Sequence, residues 1–157
     1  MTQNTIAYKR SRFSTRLPAA FRYTPSHYWL AETEAGVWRV GFTKFATRML
    51  GDIVEFDFKI QQGTPIEVGQ VLGWTEGFKA MSDIYSAASG EFLGPNPALA
   101  GSITLIDHDP YGEGWLYSVR GVPDPRSTDV NGYIAVLDAT VDKMLQGRYD
   151  QREGQDG

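Results

Sequence analysis

Apolar and polar residues alternate in short runs along most of this chain, interrupted by glycine and proline. Only near the C-terminus does the spacing lengthen to three and four. Tyr28 to Ala31 is a short apolar run, Glu32-Thr33-Glu34-Ala35-Gly36 is turn chemistry, and Val37-Trp38-Arg39-Val40-Gly41-Phe42 alternates, so the three read as a β-hairpin. Thr43 offers an N-cap for a short helix over Lys44-Phe45-Ala46-Thr47-Arg48-Met49-Leu50, with Phe45 and Met49 on one side and Gly51 ending it. Asp52 to Ile60 follows as a half-buried strand, and Gln61 to Glu67 as a turn. Glu91-Phe92-Leu93 precedes the loop Gly94-Pro95-Asn96-Pro97; Ser102 to Ile106 is a short segment, and Asp107 to Gly114 is loop. Trp115 to Val119 returns to strand, and Gly121 to Ser127 reads as a proline-containing turn. Ile134, Leu137, Val141, Met144 and Leu145 form the apolar stripe of a last helix that Gly147 would stop. Many short strands with two helices predict a mainly β fold, a flattened barrel or sandwich.

One stretch stands apart from this pattern. Val68, Val71, Leu72 and Trp74 lead into Glu76-Gly77-Phe78-Lys79-Ala80-Met81-Ser82-Asp83, and Ile84 and Tyr85 lead out of it. Two strand-like runs meeting at a glycine-relieved bend put Lys79 at the tip of a hairpin with its amine in solvent. A lysine held this way suits enzymatic attachment of a swinging prosthetic group. From these eight residues alone, an ordinary solvated lysine on a turn is the stronger reading, and only the surrounding chain reverses it.

Composition narrows the alternatives. Hydrophobic content of 41% and charged content of 22% are ordinary for one globular domain of 157 residues. Of the fifteen lysines and arginines, Lys9, Arg10, Arg12, Arg16 and Arg22 precede the first acid, Glu32, and all nineteen carboxylates lie from there onward. The body of the chain is therefore acidic, which argues against nucleic acid as a partner and fits basic surfaces on partner proteins. Cysteine is absent, so any redox chemistry must come from an added group. No apolar run is long enough to span a membrane, and no signal-peptide core is present. Residues 1–20 are basic and read as a loosely organised extension across the surface of a cytoplasmic protein, although their lack of acids superficially resembles a transit peptide. Residues 21–147 read as the domain and 148–157 as a polar tail.

Six strings in one order resemble the glycine cleavage H-protein family of lipoyl carriers, over residues 21–145. They are Ser26-His27-Tyr28-Trp29, Val40-Gly41-Phe42-Thr43 with Phe45-Ala46, Leu50-Gly51-Asp52-Ile53-Val54, Glu76-Gly77-Phe78-Lys79-Ala80 with Ser82-Asp83-Ile84-Tyr85-Ser86, Ser89-Gly90-Glu91, and Asp109-Pro110-Tyr111-Gly112-Glu113-Gly114-Trp115-Leu116. The resemblance implies the lipoyl-domain (hammerhead) fold and a non-enzymatic, monomeric carrier. It implies lipoic acid held as an amide on Lys79, loaded by a lipoate-attaching enzyme. An arm of roughly 12–14 Å would then reach partner active sites from a fixed base.

The departures bear on the pathway. Glycine-cleavage members usually have a small residue before the lysine, where Phe78 stands here, and an acid in the opening motif, where Tyr28 stands. A histidine or tyrosine common in the short helix is Phe45 here, whereas Ser26 and Asp83 match. Fewer carboxylates and more rings suit an apolar or anionic adduct better than a protonated amine. Glu-Gly-Phe-Lys-Ala and the N-terminal extension resemble the lipoate-binding proteins of the heterodisulfide-reductase-like sulfur-oxidation system. That branch, with its reductase-like complex as partner, is the preferred reading; the glycine cleavage enzymes, between which the arm would carry the aminomethyl group from decarboxylase to aminomethyltransferase, are the alternative.

Other residues carry weaker signals. Glu76 and Asp83 flank the lysine and could steer the loading enzyme, and Phe78 could touch the arm. His27 reads as a structural histidine more readily than an acid or base. His108 sits between two aspartates, but two histidines without cysteine make no dedicated metal site. A biotin carrier would place methionines beside the lysine, where Ala80 comes first here. An unloaded interaction module stays open, and no nucleophile–base set supports an enzyme.

Overall fold

The computed structural model describes residues 3–156, with side chains described as far as Arg148. In chain order the strands are β1 (Thr5–Arg10), β2 (Phe13–Pro18), β3 (Arg22–Tyr23), β4 (Tyr28–Glu34) and β5 (Val37–Phe42). Helix α1 (Lys44–Leu50) and strands β6 (Ile53–Phe58), β7 (Pro65–Ile66), β8 (Val71–Gly77), β9 (Met81–Tyr85) and β10 (Ala88–Pro95) follow. A 3-10 turn over Pro97–Ala100, α2 (Leu105–His108), β11 (Tyr117–Pro123) and α3 (Val130–Asp156) complete the chain.

The strands form a six-stranded sheet in the order β3-β4-β5-β11-β10-β7, a three-stranded sheet in the order β6-β8-β9, and the separate hairpin β1-β2. Side chains alternate across a strand, and β4 shows the consequence. Tyr28 and Leu30 face a core shared with Leu72, Ile84, Phe92 and Tyr117 from β8 to β11, whereas Trp29 and Ala31 face the opposite side. That opposite side is a second core, in which Trp29 packs with Tyr8, Phe13 and Leu17 of the hairpin and with Tyr133, Leu137 and Val141 of α3. The sheet is thus covered on both faces, by the lysine-bearing sheet on one and by the two ends of the chain on the other.

Three sequence expectations change here. The N-terminal extension is not loose: Ile6/Tyr8 and Phe13/Leu17 alternate inward, and Tyr8 and Phe13 are buried. Its Tyr8 hydroxyl donates to Asp138 at 2.8 Å, and Arg10 grips Asp142 at 2.8 and 3.0 Å, tying the hairpin to α3. Gly121 lies within β11 rather than in a turn. It stands opposite Gly90, where the backbones cross so closely that a Cβ would meet the Ser89 carbonyl. Gly147 does not stop the last helix, which runs to Asp156, while the side chains beyond Arg148 in the expected polar tail lie outside the described residues. The two expected helices are joined by two short helical turns, at Pro97–Ala100 and Leu105–His108. No helix among the described residues is long and apolar enough to cross a membrane.

Candidate functional site

The bend between β8 and β9 consists of Phe78, Lys79 and Ala80, and all three amides are bonded. Phe78 N–H donates to the Asp52 carbonyl at 3.1 Å; Lys79 and Ala80 N–H both donate to the Leu50 carbonyl, at 2.9 and 3.3 Å. Gly77 N–H closes the bend on the Ala80 carbonyl at 2.9 Å. The tip therefore rests on the C-terminal end of α1, and orphan helix carbonyls meet amides that the turn would otherwise leave unpaired. Two glycines allow this approach. Gly51 takes φ +77°, and a Cβ there would sit 2.9 Å from Lys79 N; a Cβ on Gly77 would run into the Leu50 carbonyl. Above this clamped backbone Lys79 is exposed, with Nζ 3.4 Å from the Arg48 carbonyl.

The position of α1 is set from the second core. Thr43 caps the helix through Oγ1, which accepts from Ala46 N–H, and it also hydrogen-bonds the Tyr133 hydroxyl at 2.8 Å. The same hydroxyl lies 2.8 Å from His27 Nδ1, and the Tyr111 hydroxyl accepts from Lys44 N–H at 2.9 Å. Burial pushes the His27 imidazole down to about 4, so it is neutral near pH 7. Its ring packs on Phe45 at 4.5 Å, and its φ is +73°. The structural reading of His27 holds. Tyr133 and Tyr111 are the supporting residues that the sequence did not single out. Tyr133 sits three positions behind Val136 and one turn before Leu137, so extending the apolar stripe backwards would have found it.

Beside Lys79 opens a groove of about 280 Å³. Phe13, Phe45, Met49, Val141, Met144 and Leu145 line it, and Arg10, Arg12, Arg48 and Arg148 add the charge; among the described residues its lining contains no carboxylate. Phe45 thus lies beside the lysine, edge-on to Phe13 at 5.4 Å. Phe78, 78% exposed, lines a second depression that shares Arg48 and Lys79 with the groove and is completed by residues that include Lys44, Asp52 and Asp107.

Tyr28 and Ser26 are placed differently from what the sequence suggests. Tyr28 is buried in the first core, stacked on Phe42, and its hydroxyl accepts from Tyr85 N–H at 2.9 Å. Burial raises that hydroxyl to about 12. It is a core residue because it shares a strand face with Leu30. Ser26 hydrogen-bonds its neighbour Thr24 at 2.9 Å. Neither lines the groove or the depression beside Lys79. Glu76 and Asp83 lie on the outer face of the three-stranded sheet, where the register Glu55–Glu76–Met81 and Asp57–Trp74–Asp83 gathers four carboxylates, Asp57 being paired with Lys59 at 2.7 Å. Among the described residues no three His, Cys, Asp or Glu are placed to hold a metal. Asp107, beside His108, instead accepts from Ile53 N–H at 2.9 Å, and burial raises its carboxyl above the usual range.

Comparison with known proteins places this geometry. Residues 21–133 match the family described as Glycine cleavage H-protein. The chain is 43% identical over 109 residues to the glycine cleavage system H protein of Corynebacterium jeikeium (strain K411), covering 68% of this chain and 85% of that one. It is 35% identical over 127 residues to the protein of the same name from Enterobacter sp. (strain 638), covering 79% and 98%. The crystal structure of a glycine cleavage system H protein from Mycobacterium marinum superposes with a TM-score of 0.68 at 33% identity, over 76% of this chain and 97% of that one.

Proposed function

The chain belongs to the glycine cleavage H-protein family, and from that premise we propose that Lys79 is the residue that carries its lipoic acid. Members are non-catalytic carriers with lipoic acid bound covalently to a lysine, and the chain is such a carrier. The observation that supports Lys79 is the tip itself: an exposed amine on a loop whose three amides are all anchored to residues 50–52 or across the bend. The residues around it fit the group, since an apolar-floored groove opens directly beside the amine.

When bound, lipoic acid supplies a dithiolane that alternates between disulfide and dithiol. The chain's own part is mechanical. Leu50 and Asp52 fix the base of the arm, so that a loading enzyme and later partners meet a preformed loop. Phe13, Phe45 and Met49 offer an apolar surface that keeps water from the resting arm. Intact mass after co-expression with a lipoate-attaching enzyme tests the assignment: the wild type gains one lipoyl amide, and Lys79→Ala gains none. Gain by Lys79→Ala overturns it.

For the pathway, the names of the relatives favour glycine cleavage, the alternative in the sequence reading, with the arm carrying the aminomethyl group from the decarboxylase to the aminomethyltransferase. The sulfur-oxidation reading, with a heterodisulfide-reductase-like partner, stands second. Exposed Phe78 and the arginines beside Lys79 favour it. Efficient uptake of the aminomethyl group from glycine decarboxylase by the loaded protein supports the first and excludes the second. The cytoplasm, whose reducing poise lets the dithiolane be returned to its dithiol form, is the setting we propose for either.

A further inference from the structure

The groove beside Lys79 has two walls that the family match does not include. Arg10 to Phe13, at the turn between β1 and β2, and Val141 to Arg148, on α3, lie outside residues 21–133. Between them runs α1 with Phe45, Arg48 and Met49. Met49 and Leu145 are 45% and 41% exposed, large apolar surfaces left open at the floor. Arg10 is held by Asp138 and Asp142, whereas no carboxylate among the described residues pairs with Arg12, Arg48 or Arg148. An amide at Lys79 would remove that residue's own charge and leave three arginines around an apolar slot with no counter-ion among the described residues.

We infer that this groove seats the arm of Lys79 when its free end carries negative charge, and disfavours an arm that ends in a cation. The occupant follows from charge and reach. A chain rooted at Lys79 is already at the groove's edge, its aliphatic part matches the floor, and an anionic end meets guanidinium groups that bind carboxylate, sulfonate or thiosulfonate oxygens in pairs. An ammonium end in the same place would lie among like charges, with no carboxylate among the described residues of the lining. The inference rests on Lys79 as the attachment point; an arm carrying the aminomethyl group ends in an ammonium and would, on this inference, stay out of the groove, whose resting occupant is then the uncharged or anionic arm.

The absence of cysteine makes a direct test possible. In full-length Lys79→Cys, the single thiolate attacks the sulfenyl sulfur of an alkyl methanethiosulfonate, forming a disulfide and releasing methanesulfinate. Arms of equal length ending in sulfonate, methyl or trimethylammonium can thus be compared without any lipoylating enzyme. The readout is the methyl spectrum of the methionines. Met49 and Met144 line the groove, while Met81 stands on the sheet beside the tip, 66% exposed. The sulfonate arm should shift Met49 and Met144 and spare Met81, the trimethylammonium arm should leave both groove signals at their unlabelled positions, and high salt should reduce the difference. Arg12→Gln with Arg48→Gln, both exposed, should bring the sulfonate arm's shifts to those of the methyl arm.

Equal shifts from sulfonate and trimethylammonium arms, or none from the sulfonate arm, overturn the inference even if the mass experiment finds lipoate on Lys79. Groove shifts with the sulfonate arm in a protein that never accepts lipoate would instead overturn the assignment of Lys79 and leave the groove's charge preference standing.

Discussion

Two surfaces meet at Lys79 and differ in charge, in shape and in how the chain builds them. The outer face of the three-stranded sheet is open and acidic, with Glu55, Glu76 and Asp83 beside the Asp57–Lys59 pair, and it comes from one stretch of the chain, residues 53–85. The groove is concave, apolar-floored and basic, and its walls come from the two ends of the chain folded onto α1. The tip belongs to neither, since its amides are bonded to residues 50–52 and across its own bend. A carrier meets two separable demands: a partner must find the lysine, and the arm must have somewhere to rest. On the assignment proposed above, the division of charge would let each surface serve one of them.

The largest expected effect separates stability from loading. Phe13 is buried against Phe45 and Tyr8, so Phe13→Ala should cost about 3–5 kcal/mol in urea unfolding. Because the tip is anchored to α1 and not to the hairpin, the folded variant should be lipoylated at the wild-type rate. A parallel loss of loading under conditions where the variant is folded would break the division. Gly77→Ala should disturb both at once. Its Cβ would collide with the Leu50 carbonyl, at a cost of about 2–4 kcal/mol. The displaced lysine should slow loading roughly tenfold or more, with the methyl signals of Met144 unchanged.

The acidic face and the tip were far more legible in the sequence than the groove. Runs ending at Val71–Trp74 and beginning at Ile84, with Gly77 between, are local signals, and so are the Thr43 and Gly51 caps of α1. The groove depends on Arg12 and Phe13 meeting Val141 and Met144, a pairing between the chain ends that no local period reveals. The hairpin that carries Phe13 also hid its alternation, because Lys9, Arg10, Ser11, Arg12, Ser14 and Arg16 surround only a few inward anchors. Tyr28 shows a different limit. Its position in the opening motif suggested a place near the arm, yet alternation with Trp29 sends it into the first core with Leu30. Gly121 misled for a steric reason: glycine marks turns, but here it permits two strands to touch.

The link between the two surfaces can be titrated. His27, through Tyr133 and Thr43, supports α1, on which both the groove floor and the tip depend. Its imidazole is pushed down from 6.5 to about 4 by burial, so between those values the unfolded chain takes up a proton that the folded chain refuses. Stability should therefore be fully present above pH 6.5 and fall by about 2–3 kcal/mol as the pH drops toward 4. His27→Gln, which keeps a partner for the Tyr133 hydroxyl, should flatten that part of the profile. An unchanged slope would place the acid sensitivity elsewhere.

The smallest effect tests the acidic face alone. Glu76 is half-buried and Asp83 exposed, and neither has a salt-bridge partner among the described residues, so Glu76→Gln with Asp83→Asn should leave stability within about 0.5 kcal/mol. Charges on an open rim act mainly on encounter, so the pair should slow loading by roughly two- to tenfold and weaken its dependence on salt. Arg12→Gln on the groove side should change neither quantity. If instead the arginine variant slows loading and the carboxylate variant does not, the loading enzyme approaches over the groove. The arm could then rest there only after that enzyme has left, and the two demands would share one surface in sequence instead of having one each.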